Sequence, residues 1–334
     1  MSDILGFITS FPTLLHSAVI FGTVIMFGAM GEILAEKAGN LNLGVPGIMY
    51  LGAISSLTGA FFYERAVETP NPIICIIISL LCAFIASALG GLIYSFLTIT
   101  LRANQNVTGL ALTIFGSGIG NFFGGSLNKL AGGVGQISVS ATSAAFRANV
   151  PALASLGTVG DLLFSYGFLA YTAILFAFIM QWYLNRTRSG LNLRAVGENP
   201  GTADAAGINV TVYKYLSTCI GSGIVGLGGL YYVMDYTKGT WANDGTIEGL
   251  GWLAVALVIF TTWKPVNTIW GAYLFGVLYW MNYYLPGLTR YSQELFKMLP
   301  YLITIIVLIF TSLRKKKENQ PPAHLGLAYF REER

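Results

Sequence analysis

Long apolar stretches alternate with short polar ones along this chain, and the pattern predicts membrane-spanning helices. Nine runs without a charged residue are long enough to consider as spans. They are Ile4–Gly31, Ala38–Tyr63, Thr69–Leu101, Ala103–Asn128, Leu162–Asn185, Tyr215–Met234, Gly249–Trp263, Pro265–Thr289 and Met298–Leu313. A helix needs about 20 residues to cross the hydrocarbon core, and its backbone groups must be satisfied internally. We therefore expect an all-α, polytopic transmembrane helical bundle of about nine spans, the seventh and ninth being short.

The composition agrees with lipid as the surrounding solvent. The chain is 54% hydrophobic and 10% charged, whereas a soluble domain carries about 25% charged residues. Residues 1–313 are predicted to form the transmembrane domain, and 314–334 a charged soluble tail containing Pro321–Pro322. The cysteines Cys75, Cys82 and Cys219 lie in apolar runs and are assigned packing roles. The net charge of +4 is explained by membrane orientation and indicates no nucleic-acid partner.

The distribution of lysine and arginine predicts an orientation. With the 185–215 loop and the tail in the cytoplasm, 13 of the 19 basic residues fall inside and 6 outside. The acidic residues divide almost evenly, 7 inside and 8 outside. This is the positive-inside bias, and it places the N-terminus outside and the C-terminus in the cytoplasm. On the outer side, the long connection 125–160 either covers the mouth of the bundle, contacts an external partner or is an inert loop.

The 185–215 loop is too long for a simple turn between two spans. Its centre, ENPGTADAAGI, has the composition of a short soluble helix. Asn199 or Thr202 is a suitable N-cap, Pro200 fits the first turn, and Gly207 would end the helix. Such a segment either docks onto something or is a solvated turn.

Motifs for enzymatic chemistry are missing from the sequence. Gly221, Gly223 and Gly226 spell GxGxxG, but they lie inside one hydrophobic run without the preceding strand of a dinucleotide site. The sequence contains no GxxxxGK[ST], HExxH, CxxC or GxSxG pattern. The five glycines of the 215–234 run, and those at 116, 120 and 124, instead indicate close helix packing or a bend.

Uncharged polar residues inside the apolar runs are candidates for a solute path. They are Asn40, Asn42, Asn104, Gln105, Asn106, Thr108 and Asn121. Gly44, Pro46 and Gly47 next to the first pair indicate a broken or re-entrant backbone. Amides are costly in lipid, so these residues are expected to face the bundle interior. They form either a path for a small neutral solute or a set of helix caps and interhelical hydrogen bonds. The central runs contain no acid or base, which disfavours a proton-coupled transporter.

Four stretches carry a specific family resemblance. They are GEILAEKAGNLNLGVPGIMYLGA (31–53), RANQNVTGLAL (102–112), LRAVGENPGTADAAGI (193–208) and the 249–276 stretch ending in WKPVNTIWGAYLFG. The chain resembles the ABC-transporter permeases of the branched-chain amino acid and simple-sugar type. Within them it is most similar to the smaller permease of the nucleoside importers that use basic-membrane-protein lipoproteins. The resemblance implies a multi-pass protein of the bacterial cell membrane.

The resemblance also implies partners and a role for the 185–215 loop. Such a permease pairs with a second, similar permease as a heterodimer, two ABC ATPase subunits and a substrate-binding lipoprotein. ATP and Mg belong to the ATPases, and this chain is expected to bind no cofactor. The segment 197–208 would be the coupling helix that docks onto an ATPase. The coupling residues are Arg194, Gly197, Glu198, Asn199, Pro200, Gly201, Thr202, Ala203, Asp204, Ala205 and Gly207.

The predicted function is therefore transport without bond chemistry on this chain. A permease subunit of an ATP-driven nucleoside importer accounts for all four stretches. The alternatives are a permease for simple sugars such as ribose or galactose, and an ion-coupled secondary transporter. An intramembrane enzyme ranks last.

Overall fold

The structure, a computed structural model, describes most of the chain. The described residues are 2–130, 132–133, 137–148, 160, 163–242, 245–285, 290–314 and 319–331. Every regular element among them is a helix, and their only β-pairing is an isolated antiparallel bridge between Ser138 and Thr240. The predicted all-α class is confirmed for this part of the chain.

The helices follow the apolar runs in order. They are α1 (Ser2–Glu36), α2 (Val45–Ala66), α3 (Pro72–Ser95), α4 (Gln105–Leu130), α5 (Ser140–Phe146), α6 (Phe168–Arg186), α7 (Arg188–Glu198), α8 (Pro200–Ala205), α9 (Val210–Tyr231), α10 (Thr246–Phe260), α11 (Asn267–Tyr284), α12 (Arg290–Lys297) and α13 (Leu299–Arg314). The π-helical turns Phe96–Thr100 and Tyr232–Tyr236 extend α3 and α9. Among the described helices, six are long and apolar enough to span a membrane: α1, α2, α3, α4, α6 and α9. Nine spans and their orientation stay predictions.

Three helices form the centre of the bundle. α1, α2 and α9 are largely buried, whereas α3, α4 and α6 expose most of their surface. α9 packs against α1, α2 and α3, and α1 also packs against α10 and α11. The outer helices expose apolar side chains such as Ile73, Ile114 and Leu175. These faces must be covered by lipid or by another membrane chain, because water would not solvate them favourably.

Glycines allow the central helices to approach closely. A methyl group at Gly221 of α9 would lie 2.5 Å from the carbonyl oxygen of Gly31 in α1. A methyl group at Gly116 of α4 would collide with the backbone of Gly47 in α2. Small residues serve this purpose where helices associate in lipid. The predicted packing role of these glycines is confirmed.

Helix α1 continues past the end of its charge-free run and includes two buried glutamates. The sequence run ends at Gly31, but the helix continues to Glu36 and includes Glu32. The two carboxylates are 1% and 3% exposed, respectively, for Glu32 and Glu36. Glu32 Oε1 accepts the backbone N–H of Asn42 at 3.0 Å, and the indole N–H of Trp263 donates to Glu36. Partners inside the protein therefore replace the water that these groups lose on burial.

Two further charged residues lie within the last central helix and its π-helical turn. Lys214 and Asp235 are 4% and 6% exposed. The prediction that the central spans lack acids and bases is therefore wrong. The apolar runs in the sequence end at charged residues, but the helices of the bundle continue through these positions because surrounding protein buries the charges.

The connection after α4 packs on the bundle end where α2 and α9 finish. Within α5, the N–H of Thr142 donates to Glu64 Oε1 at 2.6 Å. The hydroxyl of Ser143 donates to the carbonyl of Met234 at 2.7 Å. Residues 137–148 of this connection are thus attached to the bundle, while 149–159 lie outside the described residues. The roles considered for the connection stay open.

Candidate functional site around the 185–215 segment

The α1–α2 connection, residues 37–44, is a non-helical segment that protein surrounds. The Asn40 side-chain N–H donates to the carbonyl of Lys214 at 3.1 Å and to Thr218 Oγ1 at 2.7 Å. The N–H of Leu41 donates to Gln105 Oε1 at 2.7 Å. Irregular backbone at membrane depth is tolerated when protein groups satisfy it in this way. The predicted break in the helix is confirmed.

The candidate path residues divide into two sets. Asn40, Asn42, Gln105 and Thr108 are buried, whereas Asn104, Asn106 and Asn121 are exposed on the surface of the chain. The prediction that all of them face the bundle interior is wrong for the second set. The Asn104 side chain accepts the N–H of Val107 at 3.1 Å, so it caps α4 instead. The buried amides hold the 37–44 connection, and a role for any of these residues in a solute path stays a prediction.

The 185–215 segment folds into α7, α8 and the start of α9. Asn199 caps α8, since its Oδ1 accepts the N–H of Thr202 at 3.0 Å. Pro200 occupies the first turn, and Gly207 leaves the helix with a φ of +83°. That φ is in the left-handed region that favours glycine. The predicted cap, first turn and stop of this short helix are all confirmed.

A small apolar cluster fixes α8 to its neighbours. Val196, Ala203 and Val210 are buried together, with Ile208, Tyr213 and Tyr329 packed around them. Gly197 of α7 lies against the carbonyl of Lys37, where a side chain would collide with it. α8 is therefore linked, through α7, to the 37–44 connection between α1 and α2.

The coupling residues predicted from the sequence occupy two faces of α7 and α8. Gly197, Pro200 and Ala203 are buried, and Gly201 and Asp204 are partly buried. The outward face consists of Arg194, Glu198, Asn199, Thr202, Ala205 and Gly207, all exposed. We call this outward set the α8 face. Four of its six residues are polar, and the other two, Ala205 and Gly207, are small.

The C-terminal segment 319–331 folds back over α8. The Tyr329 hydroxyl donates to Asp204 Oδ2 at 2.9 Å, and Arg331 Nε donates to the same oxygen at 3.1 Å. The N–H of His324 donates to the carbonyl of Gly197 at 3.0 Å. This part of the predicted soluble tail is therefore packed on the bundle. The apolar run LGLAYF, which follows the two prolines, is the feature of the sequence that could have indicated this packing.

Basic side chains concentrate at this same end. A cavity of about 290 Å³ is lined by Lys37, Arg194 and Lys264, and one of about 620 Å³ by Arg102, Lys214 and Arg331. Burial, and then the neighbouring Arg194 charge, lowers the pKa of Lys37 to about 8. The positive-inside distribution predicts all six residues on the cytoplasmic side, and the structure places them at one end of the chain.

Comparisons of the sequence with known proteins match the chain to components of transport systems. Residues 14–308 match the family model described as the branched-chain amino acid transport system permease component. A putative glucose ABC transporter permease, TsgC13 of Haloferax volcanii, is 32% identical over 96% of this chain and 98% of its own length. No solved structure matches the chain.

Two bacterial relatives are named for nucleosides. The nucleoside ABC transporter permease NupC of Lactococcus lactis is 30% identical over 90% of this chain and 92% of its own. The guanosine ABC transporter permease NupQ of Bacillus subtilis is 30% identical over 87% of this chain and 89% of its own.

Proposed function

We propose that this chain, which belongs to the branched-chain amino acid transport system permease family, carries nucleosides in an ATP-driven importer. The chain is an ABC transporter permease of the sugar and nucleoside type, and a multi-pass membrane protein. Two of the three relatives described above are named for nucleosides, and this favours a nucleoside as the solute. The simple-sugar alternative is supported by the glucose-type relative from Haloferax.

The proposed coupling to an ATPase rests on the way α8 is attached to the core while its other side stays exposed. α8 presents small exposed residues outward, and Ala203 packs its other side into the protein. Gly197 of the preceding helix α7 contacts the carbonyl of Lys37 in the 37–44 connection. In the proposal, a cytoplasmic ABC ATPase docks on the α8 face and moves it when ATP binds. The movement passes through the 37–44 connection to α1 and α2. ATP and Mg are held by the two ATPase subunits, and this chain catalyses no reaction.

The exposed surface of α4 supports a second permease as a partner. Asn106 and Asn121 lie on this surface, and Gly118 between them has open space around it. The helix carries no charged residue before Lys129. An uncharged surface with exposed amides suits a neutral hydroxylated solute, and exposed amides are costly in lipid. In the proposal, this surface faces a second, similar permease, and the solute passes between the two chains after release from a binding lipoprotein.

Uptake into proteoliposomes tests the solute and the energy source together. The vesicles contain this chain with its second permease, ATPases and binding lipoprotein, and ATP is supplied on the ATPase side. We expect ATP-dependent uptake of tritiated guanosine that unlabelled nucleosides inhibit and glucose does not. ATP-dependent uptake of labelled glucose, with no uptake of guanosine, would assign the sugar alternative. Uptake driven by an ion gradient without ATPases would contradict the importer itself.

A further inference from the structure

A pocket lies between the C-terminal segment, the connection that follows α8 and the start of α9. Its volume is about 620 Å³, which is within the range of about 300–1,000 Å³ typical of small-ligand sites. The walls come from the α3–α4 connection, the α8–α9 connection, the start of α9 and the segment 327–331. We call it the tail pocket. Nothing in the proposed transport cycle uses it.

Lys214 is the main feature of the tail pocket. Its side chain lines the pocket and is 4% exposed. No hydrogen-bond or ion-pair partner of its ammonium group is found among the described residues. Burial, and then the charge of Lys214, lowers the pKa of the neighbouring His324. An imidazole is either neutral or positive, so it cannot balance the charge of Lys214. A buried cation without a partner is costly, and an anion would offset that cost.

The start of α9 adds a second reason for an anion. α9 has 22 residues, and its first residues Val210, Thr211 and Val212 line the pocket. Asn209 caps the N–H of Val212 at 3.1 Å. The N-terminal end of a helix carries a partial positive charge and unpaired amide N–H groups, which together favour phosphate or another anion.

The other charges around the pocket leave it positive. Arg102 and Arg331 line it together with Asp204. The Asp204 carboxylate already accepts hydrogen bonds from Tyr329 and Arg331. Arg102 lies with its guanidinium carbon 4.6 Å from the centre of the Phe330 ring, which positions its charge at the rim.

The pocket also offers an acceptor for a hydroxyl group. Asn40 lines it and is 0% exposed. The Asn40 amide nitrogen donates to the Lys214 carbonyl and to Thr218, while its Oδ1 has no partner among the described residues. An isolated buried acceptor of this kind is satisfied by a ligand hydroxyl or by water.

We propose that the tail pocket is a cytoplasmic binding site for a phosphate group carried by a small hydroxylated compound. Lys214 and the start of α9 contact the phosphate, Arg102 adds charge at the rim, and Asn40 accepts a hydroxyl. A soluble sugar phosphate or nucleoside phosphate and a phosphorylated lipid headgroup share this chemistry. The site itself is independent of which solute is transported. Its effect on coupling, holding the C-terminal segment against α8, rests on the proposed docking role of the α8 face.

Binding to the purified full-length chain tests the site without transport. The chain is placed in nanodiscs of phosphatidylcholine, and guanosine monophosphate and inorganic phosphate are titrated by calorimetry. A third arm measures the unfolding temperature in nanodiscs that contain phosphatidylglycerol. We expect guanosine monophosphate to bind and Lys214→Met to weaken it about tenfold or more, the loss of a charge-assisted hydrogen bond. Arg188→Gln, at an exposed arginine of α7 outside both the pocket and the α8 face, is expected to bind like the unmodified chain.

Each outcome decides for or against the site. Stabilisation by phosphatidylglycerol alone, lost in Lys214→Met, would identify the phosphate as a lipid headgroup. Binding that Lys214→Met leaves unchanged would overturn the site. So would the absence of any effect from all three probes. Lys214→Met is expected to stay folded, because it removes a buried charge and keeps a similar apolar stem. Since no ATPase is present, failure here is distinct from failure of the importer proposal.

Discussion

The hydrogen bond between Tyr329 and Asp204 should determine how firmly the C-terminal segment is held on α8. Tyr329→Phe removes only the hydroxyl and keeps the ring in the apolar cluster with Ala203. The oxygen–oxygen distance is 2.9 Å, and the Asp204 side chain is 13% exposed. A hydrogen bond to a charged group contributes about 1.5–3 kcal/mol when buried, and we take about 1–1.5 kcal/mol for this partly buried one.

The ion pair of Arg331 with the same carboxylate should contribute less. The Arg331 side chain is 74% exposed, so solvent screens the pair, and exposed pairs contribute about 0.2–1 kcal/mol. Arg331→Gln is therefore the matched comparison for Tyr329→Phe. The expected change in the open population of the segment is about five- to thirteenfold for the tyrosine variant. For the arginine variant it is about fivefold or less.

Hydrogen–deuterium exchange by mass spectrometry measures this opening at the amides of the segment. The N–H groups of His324 and Gly326 donate to the carbonyls of Gly197 and Gly39, and they exchange when the segment opens. Exchange in a peptide spanning 319–331 should accelerate by the factors given above. Unchanged exchange in Tyr329→Phe would refute the assigned role of this hydrogen bond. A larger effect from Arg331→Gln would refute the view that burial sets the relative strengths.

Two further predictions concern packing and charge in the purified chain. Gly221→Val should lower the unfolding temperature strongly, because overpacking a close contact costs about 1–3 kcal/mol, whereas Gly118→Val, with open space around Gly118, should not. A similar loss in both variants would show that helix propensity, not contact with Gly31, is responsible. Lys37→Met should be more stable than the unmodified chain at pH 7, because burial lowers the pKa of Lys37 from 10.5 to about 8 in the folded protein. The difference in stability should shrink as pH rises from about 8 toward 10.5, since in this window the unfolded chain still binds a proton that the folded chain has lost. Thermal unfolding at several pH values checks this, and a pH-independent difference would contradict it.

Local features of the fold were predictable because they depend on short stretches of sequence. The cap at Asn199, the stop at Gly207 and the break at the 37–44 connection each follow from residue types at neighbouring positions. The apolar runs likewise locate the long helices, since about 20 residues are needed to cross a bilayer. The ends of these helices do not follow from the runs alone, because α1 continues through Glu32 and Glu36, whose carboxylates accept hydrogen bonds from Asn42 and Trp263.

Contacts between distant segments were not predictable from the same pattern. Asp204 was assigned to the coupling set, but its carboxylate is directed to Tyr329 and Arg331, more than a hundred positions away. The exposed positions of Asn106 and Asn121 likewise depend on how α4 packs on α2. Amide residues in an apolar run indicate a polar surface, but not whether that surface faces its own bundle or a partner chain.

ATP-driven guanosine uptake by complexes containing Ala205→Trp tests the coupling role of α8 most directly. Ala205 is an exposed residue of the α8 face, and Ala66→Trp places the same side chain on an exposed alanine at the opposite end of α2 from the 37–44 connection. In Ala205→Trp, we expect guanosine uptake and the amount of ATPase that co-purifies each to fall about tenfold or more. This corresponds to a loss of about 1.4 kcal/mol or more at the interface. Both quantities should stay normal in Ala66→Trp. Normal uptake and normal ATPase association in Ala205→Trp would contradict coupling through this face.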